Sequence, residues 1–143
     1  MIIKLLRFEE GFRSKPYKCT AGRWSIGFGF AQGVTENTPA ITRDEAEKLL
    51  MDEVAKCVKD VSKALPWSSD LDMCRRDVLV SMRYQLGMNG LLSFSKFLRE
   101  MRDHDFDGAA AHLKDSKFYS QTTNRVKRLI GMLHSGEYPK EIA

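Results

Sequence analysis

The run Trp24-Ser25-Ile26-Gly27-Phe28-Gly29-Phe30 alternates large and small residues at period two, in a chain whose other apolar residues recur at helical spacing. That lone patch confines the fold. One short sheet can form near the N-terminus, the rest must be helix, and the sheet has to close its apolar face against helical neighbours. This is an α+β architecture, with a small sheet lobe near the N-terminus and a helical lobe behind it.

Helices frame the patch on both sides. Ile2, Ile3, Leu5, Leu6 and Phe8 fit a short helix ended by Gly11. Glu10 then falls at a helix C-terminus, where the macrodipole disfavours negative charge. Thr20-Ala21-Gly22 reads as a turn leading into the alternating run. Gly27-Phe28-Gly29 lacks the helix start that a phosphate loop needs, so its glycines read as positions for bending or close backbone approach.

Thr42-Arg43-Asp44-Glu45 is a capping box, and Ala46, Leu49, Leu50, Val54, Cys57, Val58, Val61 and Leu65 carry one long helix to Pro66. Leu71, Cys74, Val78 and Met82 predict a helix closing near Gly87-Met88-Asn89-Gly90. Phe94, Phe97, Leu98 and Met101 predict another, and Ala109, Ala110 and Leu113 a shorter one. Val126, Leu129, Ile130 and Leu133 mark a last helix stopped near Gly136. There is no internal repeat, low-complexity tract or linker, and a chain of 143 residues with 43% hydrophobic residues can bury a core as one domain.

Charge and cysteine usage narrow the partners. An excess of 23 Lys+Arg over 19 Asp+Glu gives +4 and suits an anionic partner such as nucleic acid, a membrane surface or a wall polymer. The basic residues do not form a run in the sequence, whereas phosphate-backbone binding calls for a clustered face, so nucleic acid is not expected. No stretch approaches the ~18 apolar residues of a membrane span, and MIIKLLRFEEGF meets charge too early for an export signal. A protein made soluble, with no stable membrane insertion, is expected. Cys19, Cys57 and Cys74 are odd in number and widely spaced, which points to a reducing compartment. Cys57 and Cys74 lie on apolar helix faces and read as core, while Cys19 precedes the turn. His104, His112 and His134 show no ligand spacing, and neither a metal nor a cofactor is expected.

A cleft between a sheet lobe and a helical lobe can hold a polymer chain. An acid there can protonate a glycosidic oxygen while a polar residue opposite handles water.

The stretch Glu10-Gly11-Phe12-Arg13, Pro16-Tyr17-Lys18-Cys19, Gly22 and Ser25-Ile26-Gly27-Phe28-Gly29 resembles the N-terminal motif of phage-type lysozymes, glycoside hydrolase family 24. That family's catalytic pattern is Glu, eight residues, Asp or Cys, five residues, Thr; here it reads Glu10, eight residues, Cys19, five residues, Ser25. The blocks ITRDEAEKLL, LDMCRRDVLVSM, YQLGMNG and KFYSQTTNRVKRLI resemble, in order, helices and turns of the family's T-even phage branch. The resemblance covers nearly the whole chain.

It implies a lysozyme-like domain over residues 1–143, with a small β lobe over about 12–41 joined by a long helix to a helical lobe over about 42–143, which also takes in the N-terminal helix. The implied function is that of an endolysin: a muramidase cutting the β-1,4 bond between N-acetylmuramic acid and N-acetylglucosamine in peptidoglycan. A catalytically weakened module that binds the wall is the alternative. By resemblance Glu10 is the general acid, Cys19 stands at the second catalytic position and Ser25 replaces the water-holding threonine. Cys19 is open as base, nucleophile or packing residue. Ala31, Tyr84, Gln85, His112 and Arg125 fall at substrate-contact positions, with Arg125 at the arginine that pairs with the catalytic glutamate.

Four features depart from the family pattern. Phe30 replaces a histidine, Glu53 stands where its partner aspartate would be, the loop over 32–40 is shorter, and Phe97 takes a small polar contact position. The resemblance further implies a monomer made in the host cytoplasm, acting on the wall in the periplasm after release by a separate holin.

Overall fold

The first helix, α1 (Ile2–Glu10), buries Leu5 and Leu6 completely and ends where Gly11 turns to φ 64°, its N–H bonding back to the Arg7 carbonyl at 3.1 Å. The computed structural model describes residues 1–19 and 22–142. Next come strands β1 (Arg13–Lys18) and β2 (Trp24–Gly27), then the long helix α2 (Arg43–Ala64) and a 3-10 turn at Pro66–Asp70. Five more helices follow: α3 (Met73–Leu92), α4 (Ser95–Arg102), α5 (Phe106–Lys114), α6 (Lys117–Gln121) and α7 (Thr123–Ser135). These elements fall into two compact units, Met1–Lys56 and Cys57–Ala143.

In the first unit β1 and β2 pair antiparallel, Tyr17 opposite Ser25 and Lys18 opposite Trp24. The register slips between Arg13 and Tyr17. Pro16 sits in that interval and has no N–H to give the ladder. The hairpin closes through Cys19 N–H to the Arg23 carbonyl and Gly22 N–H to the Cys19 carbonyl, each at 2.9 Å. Of the predicted Thr20-Ala21-Gly22 turn, Thr20 and Ala21 lie outside the described residues.

The alternation predicts a strand to Phe30, but β2 stops at Gly27. Gly27 and Gly29 take φ of 67° and 81°, and the chain doubles back so that Ile26 and Phe30 exchange backbone bonds of 2.8 and 2.9 Å. Only glycine enters that region without strain, so the residues that look like the small half of a strand pattern are what ends the strand. A Cβ on Gly27 would stand 3.0 Å from the Ala46 Cβ, so its bare backbone also lets α2 approach. Phe28 is buried with its ring 5.7 Å from Phe12, and the Arg43 guanidinium lies over both rings.

The capping box forms at the start of α2. Glu45 N–H donates to Thr42 Oγ1 at 3.1 Å and Thr42 N–H to Glu45 Oε1 at 3.0 Å. Arg7 grips Glu47 with two bonds of 2.9 Å, tying α1 to α2.

Among its described residues the second unit holds helices joined by short turns and no strand. Asp72 caps α3 by accepting from Arg75 N–H, and Val78, Leu79, Val80 and Met82 are buried behind it. The predicted close near Gly87 is a break rather than an end: Gly87 takes φ 78° and ψ 170°, and helix resumes to Leu92. Helix α7 packs on α3 and α5, and α4 on α5. Arg75 ties the late chain to α3, with Nε and Nη2 donating to the Leu133 carbonyl at 3.0 and 2.7 Å and its guanidinium 4.2 Å from the Phe106 ring centre. Gly136, at φ 72°, ends α7 as the spacing predicts. Past it, Tyr138 donates its hydroxyl to buried Asp77 at 2.5 Å.

Cys57 and Cys74 are buried as expected, and burial pushes the Cys74 thiol up to about 11. Phe97, read as a departure at a substrate position, is a core residue 1% exposed with its ring edge-on to Phe94. No helix among the described residues is long and apolar enough to cross a membrane.

Candidate active site

Glu10 is the last residue of α1 and is half-buried. The returning loop after β2 brings the backbone of Gly29 against its side chain. A Cβ on Gly29 would run into Glu10 Oε1 and lie 3.1 Å from its Cδ. The glycine therefore does more than bend the strand: its missing side chain is the space the carboxyl occupies.

Ser25 sits in the middle of β2, 3% exposed, and Tyr17 faces it across the ladder. The Tyr17 hydroxyl is pushed up first by burial, then by the negative charge of Glu10, with Arg13 opposing and Cys19 adding to the rise. Arg13 lies over the Tyr17 ring at 4.4 Å. Tyr17 thus stands within electrostatic reach of Glu10 and Cys19. Cys19 follows β1 directly, half-buried, with its N–H and C=O both held in the hairpin closure. Ala31 lies just past the loop, half-buried, its carbonyl accepting from Val34 N–H at 3.1 Å.

Glu10, Cys19, Ser25 and Ala31 thus all belong to the Met1–Lys56 unit, which holds a carboxyl, a thiol and a buried hydroxyl. That set can donate a proton and orient a water.

The other four candidates belong to the Cys57–Ala143 unit. Tyr84 and Gln85 are half-buried in α3, shortly before Gly87. Gln85 Nε2 donates to Thr122 Oγ1 at 3.4 Å. Arg125, in the first turn of α7, is half-buried. His112 in α5 is half-buried with Nδ1 2.8 Å from Glu100 Oε2 on α4, a partner no sequence motif marks. Phe30 is half-buried, and Glu53 lies 4.0 Å from Lys56 in the same helix. Among the described residues no group of three or more His, Cys, Asp and Glu stands together as a metal cage.

Tyr17 is a neighbour of these candidates that the motif left without a role. Its signal was its place in Pro16-Tyr17-Lys18-Cys19, two residues before the second catalytic position, on the strand that must face Ser25.

A small antiparallel sheet and a larger helical part, with a carboxyl at the end of the first helix, define a lysozyme-like α+β protein. The family model described as Phage lysozyme matches residues 7–133, and the chain belongs to that family. It is 26% identical to a Dictyostelium discoideum protein named Probable T4-type lysozyme 1, over 92% of each chain. It is 28% identical to the Endolysin of Acyrthosiphon pisum secondary endosymbiont phage 1, over 75% of this chain and 70% of that one. With the Endolysin of Bacillus phage PZA it shares 30% identity over 99% of this chain and 56% of that one.

Proposed function

We infer that this chain is an endolysin acting as a muramidase, hydrolysing the β-1,4 bond between N-acetylmuramic acid and N-acetylglucosamine in bacterial peptidoglycan and so lysing the host. The observation that carries this reading is the fit of Gly29 around Glu10. A carboxyl at a helix end is ordinarily a loose surface group, whereas this one occupies a place that only a glycine leaves open.

In this mechanism Glu10 gives its proton to the leaving glycosidic oxygen. Ser25 holds the water that attacks the sugar, and Cys19 helps place it or, as a thiolate, takes its proton. Arg125, Tyr84, Gln85, His112 and Ala31 contact the substrate. The enzyme works as a monomer, made in the host cytoplasm and reaching the periplasm after a separate holin opens the membrane. The exchange of the usual threonine for Ser25 supports a second reading, a wall-binding module with weakened turnover.

The test is loss of turbidity in outer-membrane-stripped Gram-negative cells. Glu10→Gln cannot donate the proton and is expected to lose about 10²–10⁴ in rate with its fold intact. Activity within about threefold of the parent would remove Glu10 from the mechanism. Dye release from labelled walls, run beside wall pull-down, separates turnover from binding alone.

A further inference from the structure

Residues 13–24 contain Arg13, Lys15, Lys18 and Arg23 and no acidic residue, leaving 19 Lys+Arg to balance 19 Asp+Glu in the rest of the chain. The net charge of +4 thus resides formally on one hairpin. The structure shows what the sequence order hides: β1 and β2 fold this segment back on itself and bring all four cations onto one small antiparallel element, each of them exposed.

None of the four takes part in an ion pair among the described residues, although Arg7, Arg43, Arg75 and Arg83 all do. Two are backed by aromatic faces instead. The Arg13 guanidinium lies 4.4 Å from the Tyr17 ring centre, and Lys18 Nζ lies 5.7 Å from that of Trp24, its cross-strand partner. Such contacts orient a cation without neutralising it.

We propose that this hairpin is the wall-docking element of the protein, recognising the carboxylates of the peptides that hang from peptidoglycan glycan strands. The proposal rests on the muramidase reading and adds to it the part of the molecule that holds the polymer's charge. A polymer with regularly spaced carboxylates matches an array of separate cations on a segment that itself carries no acidic residue. Cys19 lies at the hairpin's closed end and Ser25 in its second strand, so docking here brings the polymer to the elements that carry the proposed chemistry.

The experiment is pull-down of the full chain on purified peptidoglycan sacculi stripped of accessory polymers, across a salt series. The double variant Lys15→Gln/Arg23→Gln is compared with Lys117→Gln/Lys127→Gln, which removes the same charge from exposed positions of the other unit. Thermal melts confirm that each variant is folded. Loss of two exposed ion contacts should weaken the hairpin variant about fivefold at low salt, with the difference fading as salt screens it, while the control stays within about twofold. Amidating the sacculus carboxylates should bring parent and hairpin variant together. Equal weakening by both double variants would show that net charge alone recruits the protein and would overturn the proposal. So would a hairpin effect that survives amidation. The Glu10→Gln lysis assay reads the muramidase assignment separately, so a failure of docking and a failure of chemistry are told apart.

Discussion

Gly29→Ala tests whether the backbone around Glu10 is part of the catalytic arrangement. The substitution does two things. It puts an L side chain at φ 81°, which costs about 1–2 kcal/mol. It also places a Cβ against Glu10 Oε1, with Cδ at 3.1 Å and Cγ at 3.5 Å. The obstructing atoms are the far end of a flexible side chain, so the clash is relieved by swinging the carboxylate aside rather than by opening the fold. The acid has to retreat by roughly an ångström, and misplacement on that scale costs about 10²-fold in rate.

Gly33→Ala supplies the control. Gly33 has φ 72°, so alanine there carries the same backbone cost, but a Cβ at that position meets nothing within 4 Å. The two variants should therefore lose similar stability in urea melts, while Gly29→Ala alone loses about two orders of magnitude in turbidity assays. Lysis rates for the two variants within about threefold of each other would refute the argument, because the contact with Glu10 would then carry no functional weight.

Other perturbations probe the remaining groups. Ser25→Thr should keep lysis near the parent rate and Ser25→Val should lower it strongly, since both hydroxyls can hold a water and valine cannot; equal rates for all three would take Ser25 out of the chemistry. Cys19→Asp should stay active and Cys19→Ala lose most of the rate if the thiol places or activates water, with the product anomer inverted; retention of configuration would instead assign Cys19 as nucleophile. Tyr138→Phe strips buried Asp77 of its donor and should cost about 1–3 kcal/mol in urea melts at neutral pH. Burial holds the Asp77 carboxyl above the usual carboxylate range, with the Tyr138 hydroxyl pulling the other way. The folded state therefore binds that proton more tightly than the unfolded chain. The stability linked to it is full below the ordinary carboxylate value of about 4 and is lost as pH rises through the raised folded value. Parent minus Asp77→Asn should accordingly shift in the parent's favour as pH falls toward about 4, and a difference flat with pH would contradict the assignment.

What the sequence exposed and what it hid follow from the range of the forces involved. The capping box at Thr42, the stop at Gly136 and the burial of Cys57 and Cys74 are local or periodic, so they could be read in advance. The end of β2 could not be timed, because a period-two pattern looks the same whether Gly27 continues the strand or leaves it at positive φ. The 3-10 turn at Pro66–Asp70 and the five-residue α6 are too short to show a period. Around the candidate site, the spacing of Glu10, Cys19 and Ser25 was visible by resemblance. Two long-range facts were not: that Gly29 folds back onto Glu10, and that His112 meets Glu100 across two helices. Phe97, placed by helical period with Phe94, Leu98 and Met101, is buried as that period implies, at a position where the family pattern has a small polar contact.

The contacts of Arg75 and Asp77 bear on the order in which the chain matures as it leaves the ribosome. The pairings described within the Met1–Lys56 unit, Arg7 with Glu47 and the hairpin closure among them, are all available once residue 56 has emerged. Helix α3 is in another position. Arg75 finds the Leu133 carbonyl 58 residues downstream, and Asp77 waits 61 residues for the Tyr138 hydroxyl. At typical synthesis speeds of about 5–20 residues per second, α3 therefore waits several seconds for these partners with Val78, Leu79 and Met82 uncovered, an interval in which chaperone capture or misassembly competes with folding.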